Sequence, residues 1–227
     1  MFKCLLKLTT PFLKNNISKL YNFNIKMNKQ AIEKLTNNYT WTKLKNLNDK
    51  IDDVSLERSS HTVNYFNGKI YVFGGEHNPR VPINNHLLVY DLKSNRWEYT
   101  ESNNSKEKPV ARLGHASCQN GDKIFIFGGR TGFEMNESSL NDLFVYDIKQ
   151  DLWTELKKSK DSDTWPEARS YHTMTSLKNK LYLFGGCSTN HGRLNDLYEY
   201  DIDENKWKHL TTDEKIVARG NLHLIIE

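Results

Sequence analysis

One unit of roughly fifty residues recurs three times in this chain, and this repeat restricts the fold more than any other feature. Each unit contains Phe-Gly-Gly, then Tyr-Asp, then a tryptophan, in the same order and at similar spacing. The glycine pairs begin at Gly74, Gly128 and Gly185, which are 54 and 57 residues apart. A regular period of this size indicates that one supersecondary unit is stacked several times around or along a common core.

Each unit predicts four strands. Four short segments rich in Val, Ile, Tyr, Phe and Trp are separated by turn residues, which is typical of sequential antiparallel strands. We therefore expect an all-β fold of β-propeller blades, one blade per unit. The glycine pair that ends each second strand fits a place of positive φ or of close approach to a neighbouring blade. The tryptophans of the fourth strands, expected to pack between blades, are Trp97, Trp153 and Trp207.

Partial units flank the three complete ones. T-W-T-K-L from Thr40 matches a fourth strand alone, and A-R-G-N-L-H from Ala218 matches a first strand alone. We divide the chain into a basic N-terminal extension, residues 1–38, expected to be disordered, and a partial propeller, residues 39–227. Because a propeller needs about four to eight blades, we expect the front part of a longer propeller with an incomplete ring. The alternative is an open arc that pairs its exposed edge with something else.

Composition excludes several classes of function. Six lysines precede Glu33, the first acidic residue, and the remaining 26 basic and 28 acidic residues give no footprint for nucleic acid. Three distant cysteines without C-x-x-C spacing argue against a disulfide framework and a zinc site. No apolar run is long enough to predict a membrane span. We expect a cytoplasmic protein; the alternative is mitochondrial import, because residues 1–32 are basic and lack Asp and Glu.

One side of the blades is the expected binding face. In an up-and-down blade, the hairpins between second and third strands share a side with the blade-to-blade links. Long loops are predicted there, over residues 76–83, 130–140 and 187–193, and short turns on the opposite side. Function concentrates in long loops that a rigid scaffold holds. The candidate partner-binding residues that differ from blade to blade are Glu76, Arg80, Arg130 and Arg193.

Arginines and histidines recur at the start of each first strand, on the same side. Guanidinium groups there suit an anionic partner, either acidic side chains or a sulfate or phosphate, because the planar fork bonds oxyanions in pairs. The alternative is that a repeated arginine serves its own blade by bonding an aspartate or a backbone carbonyl. We interpret the histidines as packing residues. The set comprises Arg58, Arg112, Arg169 and Arg219 with His61, His115 and His172.

The period and its landmarks resemble the kelch repeat. The strings F-G-G-E, P-R-V-P-I, F-G-G-R, P-E-A-R-S-Y-H and G-R-L-N-D-L are similar to the plant specifier proteins of glucosinolate breakdown, over residues 40–227. That resemblance implies a ferrous ion, a sulfated aglucone converted to nitriles and related products, and arginines after F-G-G that hold the sulfate. It carries over to Arg130 and Arg193, and more loosely to Glu76.

The sequence departs from that family at the metal. The family's iron is attributed to an E-x-x-x-D-x-x-x-H string, and none occurs here. We therefore predict no cofactor for this chain and a non-catalytic scaffold that binds a protein or an acidic peptide. One alternative is a specifier-like Fe(II)-dependent lyase acting on a small sulfated molecule, with the metal site in a further C-terminal part. The other is a copper oxidase of the galactose oxidase type, whose Tyr, Cys and His ligands cannot be placed.

Overall fold

The computed structural model describes residues 56–100, 107–132, 139–158, 164–210 and 217–218. They form three four-stranded antiparallel sheets, each with its strands in chain order, which confirms the prediction of all-β blades. The N-terminal extension, the T-W-T-K-L segment and Arg219 lie outside the described residues. Among the residues described, no helix has the length and apolarity needed to cross a membrane.

The strands follow the repeat. Blade 1 contains β1 (Thr62–Phe66), β2 (Lys69–Phe73), β3 (Leu88–Asp91) and β4 (Arg96–Tyr99). Blade 2 contains β5 (Ala116–Asn120), β6 (Lys123–Arg130), β7 (Ser139–Asp147) and β8 (Leu152–Leu156). Blade 3 contains β9 (Thr173–Leu177), β10 (Lys180–Ser188), β11 (Gly192–Asp201) and β12 (Lys206–Leu210).

The blades pack against one another through two apolar clusters. Between blades 1 and 2, the rings of Phe73 and Trp153 lie 5.4 Å apart, and Trp153 is 1% exposed. Between blades 2 and 3, Phe127 and Trp207 repeat this contact at 5.5 Å. These contacts confirm that Trp153 and Trp207 pack between blades, as predicted. Burial of such large rings contributes much of the free energy of packing. Trp97 is part-buried, in a smaller cluster on the other face of blade 1.

The glycine pairs have both predicted properties. Gly128 and Gly129 have φ of 63° and 96°, and they form a bulge after Phe127 where the register between β6 and β7 shifts. A Cβ on Gly129 would lie 2.8 Å from the carbonyl oxygen of Leu113. A side chain at this position is therefore excluded by backbone conformation and by space.

Two hairpins are shorter than the sequence suggested. Pairing continues beyond the bulges, so that β6 reaches Arg130 and β10 reaches Ser188. In blade 3 only residues 189–191 separate the two strands, and the predicted long loop over residues 187–193 is wrong. Blade 1 differs, because residues 74–87 separate β2 from β3.

Candidate binding face

The two ends of the blades are built differently. The turn end carries the short connections within the strand pairs β1–β2 and β3–β4 and their equivalents. There, Asp91 accepts the backbone amides of Lys93 and Ser94 at 2.8 and 2.9 Å, and Tyr90 donates its hydroxyl to Asn95 at 3.2 Å. The same bonds recur around Asp147 and Tyr146 in blade 2 and around Asp201 and Tyr200 in blade 3. Side chains at the turn end therefore serve the turns themselves.

The hairpin end carries the β2–β3, β6–β7 and β10–β11 hairpins and the blade-to-blade links, and a repeated arginine lies just beneath it. The guanidinium of Arg112 is fully buried. It donates to both carboxylate oxygens of Asp142 at 2.6 and 2.8 Å, to the carbonyl of Gly128 at 2.9 Å and to that of Val110 at 3.1 Å. These are the bonds expected of an arginine that serves its own blade by bonding an aspartate and backbone carbonyls.

Blade 3 repeats the arrangement. Arg169 is fully buried and forms a bidentate pair with Asp196 at 2.6 and 2.8 Å. It also donates to the carbonyls of Gly185 and Glu167, each at 3.0 Å. The side chains of Arg112 and Arg169 are thus inaccessible from the hairpin end, and their donors are directed into their own blades.

Blade 1 departs from this pattern. Arg58 donates to the carbonyl of Gly74 at 2.9 Å, as the other arginines do to Gly128 and Gly185. The position of Asp142 and Asp196, however, is held by His86, an exposed residue whose ring lies 5.0 Å from that of Tyr99. Burial lowers the pKa of Arg58 to about 10. Burial, and then the charge of Lys108, lower the pKa of His86.

The backbone beneath the hairpin end joins the blades. The amide of Gly75 donates to the carbonyl of Arg112, and the amide of Gly129 donates to that of Arg169, both at 2.9 Å. The amide of Gly114 likewise donates to Ser60 at 3.0 Å. The glycine pairs of blades 1 and 2 are therefore each bonded to the arginine of the next blade, which explains why the two motifs occur together.

The repeated histidines lie between blades. The Nε2 atom of His115 is 2.8 Å from the hydroxyl of Thr62, the first residue of β1 in the preceding blade. For His172 the preceding blade is blade 2, and the first residue of β5 there is Ala116, which has no hydroxyl. Burial lowers the pKa of both rings, well below the usual value for His115 and to about 3 for His172, and the neighbouring Arg169 adds to the effect on His172. Both rings are neutral packing residues at physiological pH.

Glu76 organises the blade-1 hairpin. One carboxylate oxygen accepts the hydroxyl of Ser60 at 2.8 Å, and the other accepts the backbone amide of Arg80. The backbone of Glu76 also pairs with that of Ser59 at 2.8 and 2.9 Å. The side chain of Arg80 is exposed, on a residue with φ of 64°. Of these two predicted residues, Glu76 shapes the loop and Arg80 is presented to solvent.

Arg130 and Arg193 lie at strand ends and not in loops. Arg130 is half-buried at the end of β6, where its backbone pairs with Leu113 at 2.9 and 3.0 Å. Arg193 is exposed on β11, directly opposite Cys187. Both residues therefore lie at the hairpin end, close to the last paired positions of their strands.

Sequence reasoning missed a polar cluster beside Arg193. Ser188 donates its hydroxyl to Glu167 at 2.5 Å, and His191 Nδ1 lies 3.0 Å from the same carboxylate. Across the boundary between blades, the hydroxyls of Ser139 and Thr189 are 3.4 Å apart. The sequence signal for this cluster was Glu167, an acidic residue two positions before the repeated Arg169. The corresponding residue of blade 2 is Val110.

The described residues do not fit an iron site. Within them, no group of three or more His, Cys, Asp or Glu side chains is placed to hold a metal ion. Ferrous iron in protein sites of this kind takes carboxylate and imidazole ligands together.

Comparison with known proteins identifies the repeat. A family model described as the KLHDC2/KLHL20/DRC7 Kelch-repeats domain matches residues 60–226. The chain is 34% identical over 177 residues to a Thlaspi arvense protein named N-(sulfonatooxy)prop-2-enimidothioate sulfolyase, covering 75% of this chain and 48% of that protein.

Other relatives have different names. The leucine-zipper-like transcriptional regulator 1 homolog of Drosophila melanogaster is 30% identical over 177 residues, covering 76% of this chain and 17% of that protein. Human Kelch domain-containing protein 10 is 30% identical over 143 residues, covering 62% of this chain and 31% of that protein. The chain thus spans about half the length of the first of these relatives and less of the others.

Proposed function

The chain belongs to the kelch-repeat family of β-propeller proteins, and from that premise we propose that it is a non-catalytic scaffold binding an acidic protein segment at the hairpin end. Kelch repeats suggest a protein-interaction scaffold. The proposal adds the face, the chemistry of the partner and the residues that contact it.

The difference between the two ends of the blades carries the proposal. At the turn end, the same aspartate and tyrosine bonds occur in all three blades. At the hairpin end, the residue after each glycine pair changes from Glu76 to Arg130 to Cys187. A recognition surface needs such variation on a rigid support, whereas a purely structural surface does not.

The charge of the presented side chains favours an acidic partner. Arg80 and Arg193 are exposed there. By contrast, the carboxylates of Glu76 and Glu167 are engaged by neighbouring hydroxyls within the hairpin end. Guanidinium groups bond carboxylates through two parallel hydrogen bonds, so a segment with Glu or Asp side chains fits this surface.

Binding of a short fluorescein-labelled peptide of alternating glutamate and serine tests the proposal. We expect Arg193→Ala to weaken binding about tenfold, which corresponds to ~1.4 kcal/mol. The matched control is Arg96→Ala, since Arg96 is also exposed but lies at the turn end. Equal loss in both variants, or equal binding of a glutamine counterpart of the peptide, contradicts the proposal.

The sulfolyase relative supports a second candidate, a surface that holds the sulfate of a small molecule. Its 34% identity and the Arg130 and Arg193 positions favour this reading. The ligand set for iron does not fit the described residues. Incubation with N-(sulfonatooxy)prop-2-enimidothioate and Fe(II) separates the two candidates. Release of sulfate that Arg193→Ala abolishes supports the lyase, and release no faster than without protein removes it.

A further inference from the structure

A carboxylate from the link before blade 3 fastens the turn of the blade-3 hairpin. Glu167 accepts the hydroxyl of Ser188 at 2.5 Å, and its two oxygens lie 3.2 and 3.0 Å from His191 Nδ1. Burial alone raises the pKa of Glu167, but the bonds from Ser188 and His191 outweigh it and hold the pKa below its usual value. The carboxylate is therefore ionised at neutral pH.

The hydroxyl that Glu167 orients also orders the turn. Ser188 Oγ accepts the backbone amides of Asn190 and His191 at 3.1 and 3.4 Å. Because the Ser188 proton is donated to Glu167, the oxygen lone pairs are directed at those amides. Gly192 follows at φ of 70°, and β11 begins there, one residue before Arg193.

Blade 1 contains the reverse arrangement. There the carboxylate, Glu76, belongs to the hairpin, and the hydroxyl, Ser60, belongs to the link. In blade 3 the carboxylate, Glu167, belongs to the link and the hydroxyl, Ser188, to the hairpin. Two blades with different sequences thus tie hairpin to link by the same chemistry, which indicates that the position of the hairpin matters.

We infer that Glu167 is a positioning residue of the binding face, which fixes the turn over residues 189–191 and so the direction in which Arg193 meets the partner. The inference rests on the proposed function. A fixed turn lets Arg193 bind without first losing conformational entropy. We call the bonds of Glu167 to Ser188 and His191 the latch. Losing the latch therefore weakens binding even though Arg193 is still present.

Amide hydrogen exchange and peptide binding, measured on the full chain, test this role. We expect Glu167→Ala to speed exchange at Asn190 and His191 about tenfold and to weaken binding of the glutamate-serine peptide about threefold to tenfold. Glu167→Gln keeps one acceptor oxygen for the Ser188 hydroxyl in a side chain of the same shape, and it is expected to restore slow exchange and most of the affinity. Glu204→Ala is the matched control, because Glu204 is exposed in the turn between β11 and β12, at the opposite end of the same blade.

The outcomes separate the latch from a general loss of stability and from the proposed function. Faster exchange throughout β9 to β12 in Glu167→Ala means that Glu167 is merely structural and overturns the inference. Local loosening without loss of affinity overturns it too, as does unchanged exchange at the turn. If the unmodified protein binds no acidic peptide, the proposed function fails, and the exchange data alone then report whether the latch exists.

Discussion

Blade 1 differs from blades 2 and 3 in the groups that surround its repeated arginine. In blades 2 and 3 a fully buried arginine is neutralised by a bidentate aspartate, Asp142 or Asp196. In blade 1 the corresponding position is His86, and burial lowers the pKa of Arg58 to about 10. The bond from the repeated arginine to the glycine carbonyl is common to all three blades. The aspartate is a blade-specific addition that stabilises the charge.

Removing that aspartate is expected to have the largest effect. Asp196→Ala leaves the guanidinium of Arg169, which is 0% exposed, with two backbone carbonyls and the ring of Tyr198 but without its bidentate carboxylate. Loss of one partner of a buried ion pair costs about 3 kcal/mol or somewhat more. Urea denaturation measures this cost, and Asp203→Ala, at an exposed turn position, is the control.

The same comparison gives the result that would contradict it. His86→Ala in blade 1 is expected to cost less than about 1 kcal/mol, because it removes an exposed ring and no bidentate partner. Equal losses in Asp196→Ala and His86→Ala would show that the aspartate has no special role in blades 2 and 3.

Acid is expected to act next most strongly, through the histidine beside the buried arginine of blade 3. The pKa of His172 is about 3 in the folded chain and about 6.5 when unfolded. Stability from the neutral ring is complete above about pH 6.5 and is lost as the pH falls toward 3. At pH 4.5 this loss is about 2–3 kcal/mol.

A variant isolates that contribution. His172→Gln is expected to lose correspondingly less stability than the parent between pH 7 and pH 4.5, measured by urea denaturation at each pH. His209→Gln removes an exposed histidine of the same blade and serves as the control. An identical pH dependence in the parent and His172→Gln would show that the ring does not resist protonation.

Making blade 1 resemble its neighbours is expected to have the smallest effect, of opposite sign. His86→Asp places a carboxylate where Asp142 and Asp196 lie, near a guanidinium whose charge is disfavoured by burial. We expect a gain of about 1 kcal/mol in the free energy of unfolding, the usual size for a part-buried charge-assisted bond. Thermal unfolding at low and high salt measures it, and a loss of stability would mean that blade 1 is specifically shaped for histidine.

The repeat made most of the fold predictable. Three copies of F-G-G, Y-D and Trp specify strand number, strand order and the core positions, because each landmark has a local physical cause. The positive φ of Gly129 and the burial of Trp153 are examples. Hairpin length was predicted less well, since pairing beyond the bulge, as between Cys187 and Arg193, depends on cross-strand contacts that no short motif encodes.

The candidate binding face was only partly predictable. Sequence variation indicated Glu76, Arg80, Arg130 and Arg193, and the structure locates all four at the hairpin end. Sequence variation could not indicate that Glu76 accepts a bond from Ser60, or that Glu167 accepts one from Ser188. Each pair joins a blade-to-blade link to a hairpin, with partners 16 and 21 residues apart in sequence.

Under the proposed function, partners bind at the varied hairpin end while the repeated turn end serves the fold. Hydrogen exchange of the unmodified chain, with and without the glutamate-serine peptide, tests it most directly. We expect slower exchange over residues 76–83 and 187–193 and no change in the turns over residues 93–95, 149–151 and 203–205. Protection at those three turns, with none at the hairpins, would contradict the account.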